Sequence, residues 1–192
     1  SDKRLSRDSS ISCSSCHQKD RAFTDGLSLS VGIEGRKGKR NSMPLFNLAW
    51  KEKFFWDGRS PSLRDQVIMP ISSHAEFDNS VEKAVINLSG DSSYVTLFKK
   101  AFTGPGITSE KIALALENYL LTLTSFDSKF DRAMAGQIEL NDKEKRGFEL
   151  FMTEYEPRTG RFGADCFHCH GGPLFSDHDF HKTYTEGIQN LE

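Results

Sequence analysis

Two short stretches hold every cysteine in the chain: "SCSSCHQK", with Cys13, Cys16 and His17, and "DCFHCHGG", with Cys166, Cys169 and His170. A CxxC pair can serve zinc, a redox disulfide or haem attachment, and the residue after the second cysteine discriminates among them. In CxxCH the thiols lie about one helical turn apart and can form thioethers to the two vinyl groups of a haem. The adjacent imidazole then reaches the iron. A shared four-cysteine zinc site would hold its pairs roughly 15–20 residues apart, far less than separates Cys16 from Cys166. Thioredoxin-like chemistry needs a βαβ setting and no histidine after each pair. Two long-range disulfides would leave both histidines unexplained. The motifs therefore predict two covalent c-type haems with His17 and His170 as iron ligands, and His168 as a neighbour pointing elsewhere.

Whether such a haem does chemistry depends on an open axial position. The stretch "FFWDGRSPSLRDQVIMPISSHAEFDNS" supplies Trp56, Gln66, His74 and Glu76. Peroxide cleavage at an iron needs a proton moved from the inner oxygen to the outer one, and one poised carboxylate can do both halves. Glu76 follows a proline-marked loop and precedes Phe77, a setting that can dehydrate it. Taken alone, an isolated glutamate is more often a surface charge. His74 reads as exposed or structural.

The elements that must position these groups are mostly helical. In "TSEKIALALENYLLTLTS", Ile112, Leu116, Tyr119, Leu120 and Leu123 share one face, with Thr108 or Ser109 as N-cap. "NDKEKRGFELFMTEY" opens with an Asn141/Glu144 capping box and predicts Phe148, Phe151 and Met152 as its buried stripe. Two shorter helices are expected either side of Gly90. Long loops occupy residues 24–44 and 156–165, little alternates with a strand's period, and the motif pair is the one internal repeat. The reading is a mainly α chain of two cytochrome c-like haem domains, 1–126 and 127–192, the second incomplete.

Composition sets outer limits. The chain has 192 residues, 36% of them hydrophobic and 27% charged, as expected of a globular protein. A net charge of −2 argues against a nucleic-acid surface. No apolar run approaches the roughly 18–20 residues of a membrane span. The polar opening "SDKRLSRDSS" is not a signal peptide. Thioether attachment of haem takes place outside the bacterial cytoplasm, so a leader is expected in the full gene. The basic run "GRKGKR" (35–40) reads as a solvated loop, with a docking patch or anion clamp as the alternative.

In order along the chain, "RLSRDSSISCSSCH", "FFWDGRSPSLRDQVIMP" and "CFHCHGGPLFSD" resemble the bacterial di-haem cytochrome c peroxidase family, which includes the methylamine-utilisation di-haem enzymes. The resemblance implies an N-terminal peroxidatic haem, a C-terminal electron-accepting haem, a periplasmic and commonly dimeric protein, and a calcium ion between the domains. It makes His17 the proximal ligand of the peroxidatic haem and Glu76 its distal acid–base residue. Gln66 and Phe55 become pocket residues, Trp56 the tryptophan that assists electron transfer between the haems, and Asn41 a calcium ligand.

Two departures from the family pattern stand out. Many members cap the oxidised peroxidatic iron with a histidine, and that place falls near Ile33, with no histidine between His17 and His74. An iron open in the oxidised state is expected. The family's methionine ligand to the second haem lies well downstream of CxxCH, so the sequence is expected to be part of a longer protein. Met134 and Met152 read as helix-core residues, with His178 and His181 as outside candidates for that ligand. The implied activity is reduction of hydrogen peroxide with electrons from a small cytochrome c or copper protein. The alternatives are a di-haem oxidase acting on a partner protein during cofactor maturation, and a plain electron carrier.

Overall fold

The computed structural model describes residues 2–181. Its helices start where short polar side chains can accept the free N–H groups of a first turn. Cys13–Cys16 is a single turn (α1), followed by Leu63–Gln66 (α2), Met69–Ser72 (α3), Val81–Ser89 (α4), Ser92–Ala101 (α5) and Ser109–Leu121 (α6). The chain continues through Lys129–Met134 (α7) and Asp142–Phe151 (α8) to an antiparallel hairpin of Tyr155–Glu156 (β1) and Arg161–Phe162 (β2). Ser80 caps α4 by accepting from Lys83 N at 3.1 Å, and Thr108 caps α6 by accepting from Lys111 N at 3.2 Å. Asn141 and Glu144 form the expected reciprocal box at α8, at 3.0 and 2.8 Å. Each such cap stabilises its helix by about 1 kcal/mol.

The described residues divide into two compact units, 2–124 and 125–181. The first has a packed interior. Leu5, Ile71, Phe77, Ala84, Leu88, Ile107 and Ile112 form one buried cluster; Leu48, Phe54, Leu63 and Leu120 form another. Helix α6 contributes to both, through Ile112 and Leu120. In the second unit no described residue is buried. Its apolar contacts centre on four rings: Phe130 lies 5.1 Å from Phe148 and 5.3 Å from Phe175, and Phe151 lies 5.6 Å from Phe175.

Three local expectations need correction. The β1–β2 hairpin has no counterpart in the sequence reading, because two-residue strands are too short to show alternation. Tyr119 is 59% exposed: α6 turns the side carrying Ala113 and Leu120 inward, leaving Tyr119 at the stripe's edge. Met134 and Met152 are also exposed, and Phe148 and Phe151 only half-buried, because α7 and α8 have no buried interior to face.

Candidate haem sites

The two motifs share a backbone device. His17 N donates to Cys13 O and His170 N to Cys166 O, each at 2.9 Å, so one turn sets the first cysteine beside the histidine. His17 Nδ1 is 2.8 Å from Phe23 O, and His170 Nδ1 is 3.1 Å from Phe175 O. A carbonyl can only accept, so Nδ1 carries the proton in both rings and Nε2 is left with its lone pair. That is the tautomer a metal-ligating histidine takes when its second nitrogen is held by a carbonyl. No disulfide joins any of the four cysteines. Donor set, spacing and tautomer fit covalent haem at both motifs.

Sequence reasoning missed that the repeat extends further. Phe23 and Phe175, whose carbonyls receive the imidazoles, both have left-handed backbone, with φ of 61° and 52°. Each is followed by a hydroxyl residue and an aspartate: Phe23-Thr24-Asp25 and Phe175-Ser176-Asp177. Each aspartate closes a turn, Oδ1 accepting from the N–H two residues on: Leu27 at 3.0 Å and Asp179 at 3.0 Å. The signal was present, but the spacer after histidine is one residue longer in the first copy, which hides it from a fixed-register comparison.

Near the first motif, the loop 30–36 runs between Cys16 and Glu76. Cys16 Sγ lies 3.6 Å from Val31 O, and Ile33 N donates to Glu76 O at 2.9 Å. Gly32 is required here: a Cβ would fall 2.0 Å from Ala75 O and 2.8 Å from Glu76 Cα. Ile33, near the place where the resemblance leads one to expect a gating histidine, has 0% exposure. Burial of the sulfur, with added repulsion from the Asp25 and Glu76 carboxylates, pushes the Cys16 thiol up to about 11.

Glu76 is half-buried and lines an open groove with Phe55, Arg59, Ile68, Met69 and Ser73. The Arg59 guanidinium stacks on the Phe55 ring at 3.4 Å. Phe77, next to Glu76, turns into the core at 6% exposure. Arg36 fastens the 74–78 loop, donating to His74 O at 2.9 Å and to Asp78 Oδ2 at 2.7 Å; Arg7 reaches the same carboxylate at 2.5 Å. Both arginines also pair with Glu34. Of the run read as a solvated loop, Lys37 and Lys39 are exposed, whereas Arg36 belongs to this network. His74, itself exposed, is bonded to Asp78 at 3.0 Å.

Three other candidates of the first unit lie outside the groove. Gln66 ends α2, half-buried, and does not line it. Trp56 is 47% exposed and donates from Nε1 to Asn41 O at 3.0 Å, which brings these two residues together. Asn41 lines a shallow pocket with Asp25, Ser28 and Ser42. In the second unit His168 faces Asp165 at 3.1 Å, away from His170's carbonyl partner, and His181 Nε2 meets Asp177 at 2.6 Å. His178 is half-buried.

A mainly helical chain with two CxxCH turns of this geometry has the features of a multihaem c-type cytochrome. Residues 1–139 match the family model described as di-haem cytochrome c peroxidase, and the chain belongs to that family, which implies two c-type haems. It is 37% identical over 182 residues to the methylamine utilization protein MauG of Methylorubrum extorquens, covering 94% of this chain and 49% of that protein. It is 34% identical over 174 residues to the cytochrome c551 peroxidase of Pseudomonas aeruginosa, covering 89% of this chain and 47% of that one. A crystal structure of a MauG-like protein associated with microbial copper homeostasis superposes with a TM-score of 0.79. It is 30% identical and covers 94% of this chain and 53% of its own. The diheme peroxidase BthA of Burkholderia thailandensis, at 23% identity and a TM-score of 0.75, shares the fold. The chain spans about half the length of the curated relatives it matches.

Proposed function

We propose that this protein reduces hydrogen peroxide to water, drawing electrons from a small cytochrome c or copper protein. The observation that carries this reading is Glu76, held in an open groove beside the loop that packs on Cys16. His17 would hold the peroxidatic iron through Nε2, and Cys13 and Cys16 would tether its haem. His170, Cys166 and Cys169 would do the same for an electron-accepting haem in the C-terminal unit. When bound, the haems supply one-electron redox chemistry and an open iron for peroxide. Glu76 takes the proton from the near oxygen of peroxide and returns it to the far one, so that water can leave. Phe55 and Ile68 form an apolar side of that groove. Trp56 keeps the electron-relay role carried over from the family, whereas Gln66, which does not line the groove, is given no role in the transfer. A calcium ion at Asn41 is part of the same reading. So are export to the periplasm and pairing of two copies. No helix among the described residues is long and apolar enough to cross a membrane.

Glu76→Gln tests the proposal. It keeps size and most hydrogen bonding but removes the proton acceptor. Peroxide-dependent oxidation of a reduced donor should slow by about 10²–10⁴-fold, or roughly 3–5 kcal/mol of transition-state stabilisation, with both haems spectrally intact. An unchanged rate would remove Glu76 from the mechanism and favour a plain electron carrier. A second reading, oxidation of residues on a partner protein, is favoured by the 37% identity to a methylamine utilization protein. Ile33 leads to the expectation of high-spin haem in the fully oxidised protein.

A further inference from the structure

We infer that Asp25 is a positioning residue for the first iron ligand: it holds the Phe23 carbonyl against the His17 imidazole, and Asp177 does the same for His170 through Phe175. The inference rests on the haem reading above and concerns how each haem's ligand is tuned.

The argument starts from strain. A phenylalanine in the left-handed region costs on the order of 1–2 kcal/mol and persists only where its surroundings over-determine it. Ala22 and Phe23 are both left-handed, at 53° and 61°. That conformation turns the Phe23 carbonyl back onto His17 Nδ1. Asp25, two residues on, is the anchor. Its backbone N donates to Ser42 Oγ at 2.9 Å, and the same hydroxyl donates to Asp25 Oδ1 at 3.1 Å. Oδ1 also accepts from Leu27 N, and Arg21 Nη1 donates to Asp25 O at 2.8 Å. Asp25 is only 5% exposed, so these bonds are little challenged by water. The second copy repeats the left-handed phenylalanine, the carbonyl-to-imidazole bond and the aspartate turn in a different environment. Two occurrences of one geometry, each beside a CxxCH histidine, are hard to assign to local accident.

The consequence is electronic. A hydrogen bond from Nδ1 makes the imidazole a stronger donor, which favours the ferric iron. Slackening that bond should raise the reduction potential of that haem alone. In wild type, mass spectrometry of the denatured chain should show two haem additions; a wild type with none overturns the haem reading and this inference together. In haem-loaded protein, Asp25→Ala should shift the reduction equilibrium of the Cys13/Cys16 haem by roughly tenfold, about 59 mV for one electron. It should also lower that haem's iron–histidine stretching frequency and leave the other haem unmoved. Asp25→Asn keeps Oδ1 and both bonds to it and should match wild type. Asp177→Ala should move only the Cys166/Cys169 haem. Should Asp25→Ala fail to fold, Ser42→Ala removes one bond of the anchor and should shift the same haem in the same direction by less. Two results would overturn the inference. One is an unchanged potential and stretching band in whichever of Asp25→Ala and Ser42→Ala folds. The other is Asp25→Asn matching Asp25→Ala, which would make the charge the active feature.

Discussion

The two CxxCH turns share one local geometry but stand on different foundations. Around Cys13, Cys16 and His17, residues 2–124 supply two buried clusters, a glycine contact at Ala75 and Glu76, and ion pairs that tie sequence-distant segments together. Around Cys166, Cys169 and His170, residues 125–181 supply four partly exposed rings and no buried side chain among the described residues. Local backbone instructions are therefore enough to form the attachment turn, and a packed interior is a separate matter. A unit of this size rarely carries itself without a metal, a disulfide or another staple. On the proposed reading, a covalent haem held by the Cys166–His170 turn would be that staple.

The largest expected effect follows from that contrast. Cys166→Ser/Cys169→Ser, which removes the second attachment, should abolish hydrogen-exchange protection in α7 and α8. Cys13→Ser/Cys16→Ser should leave protection in α4 and α6 largely in place, because Ala84, Leu88 and Ile112 are buried against one another in a cluster of their own. If exchange mass spectrometry showed equal losses in both units, the claimed difference in foundation would be wrong.

A smaller effect sharpens the comparison. Leu88 is 4% exposed in the first cluster, and Leu88→Ala should cost about 2–5 kcal/mol in urea unfolding. Phe148 is only half-buried, and Phe148→Ala should cost less than half as much despite the larger side chain removed. Comparable losses would reveal a true core within residues 125–181.

Much of this was legible in the sequence because it is local. The cap at Thr108, the box at Asn141 and Glu144, the break at Gly90 and the two attachment turns each depend on residues within four positions of one another. What could not be read was long-range. Nothing near Gly32 announces that Ala75 will press against it, and nothing in "GRKGKR" distinguishes Arg36, bonded across the fold to Asp78, from the exposed Lys37. The groove joins Phe55 to Glu76, and periodicity alone does not pair them. The Phe-Thr/Ser-Asp repeat was readable in principle, and a one-residue difference in spacer concealed it.

The smallest effect tests the ionic part of the contrast. Ion pairs of the first unit reach far across the sequence, from Arg4 to Asp91 and from Arg7 to Asp78, whereas among the described residues of the second the longest reach, Lys129–Glu144, spans 15 residues. Hydrogen bonds from Arg36 and then His74 hold the Asp78 carboxyl down at about 2, below an ordinary aspartate near 4. A depressed folded-state pKa contributes stability that is present above the unfolded value and lost as pH falls through the folded one. The contribution of Asp78 should therefore be complete at neutral pH and disappear between about pH 4 and about pH 2. Because solvent screens such pairs, the effect should be modest. Asp2 and Asp91, held near 2 by Arg4, titrate in the same window, so the acid slope of the wild type alone proves nothing about Asp78. The informative quantity is the difference in urea midpoint between wild type and Asp78→Asn. It should be greatest at neutral pH and close to zero near pH 2. A difference that stays constant with pH would mean that the substitution itself disturbs packing, and that the charge of Asp78 does not fasten the Glu76 loop.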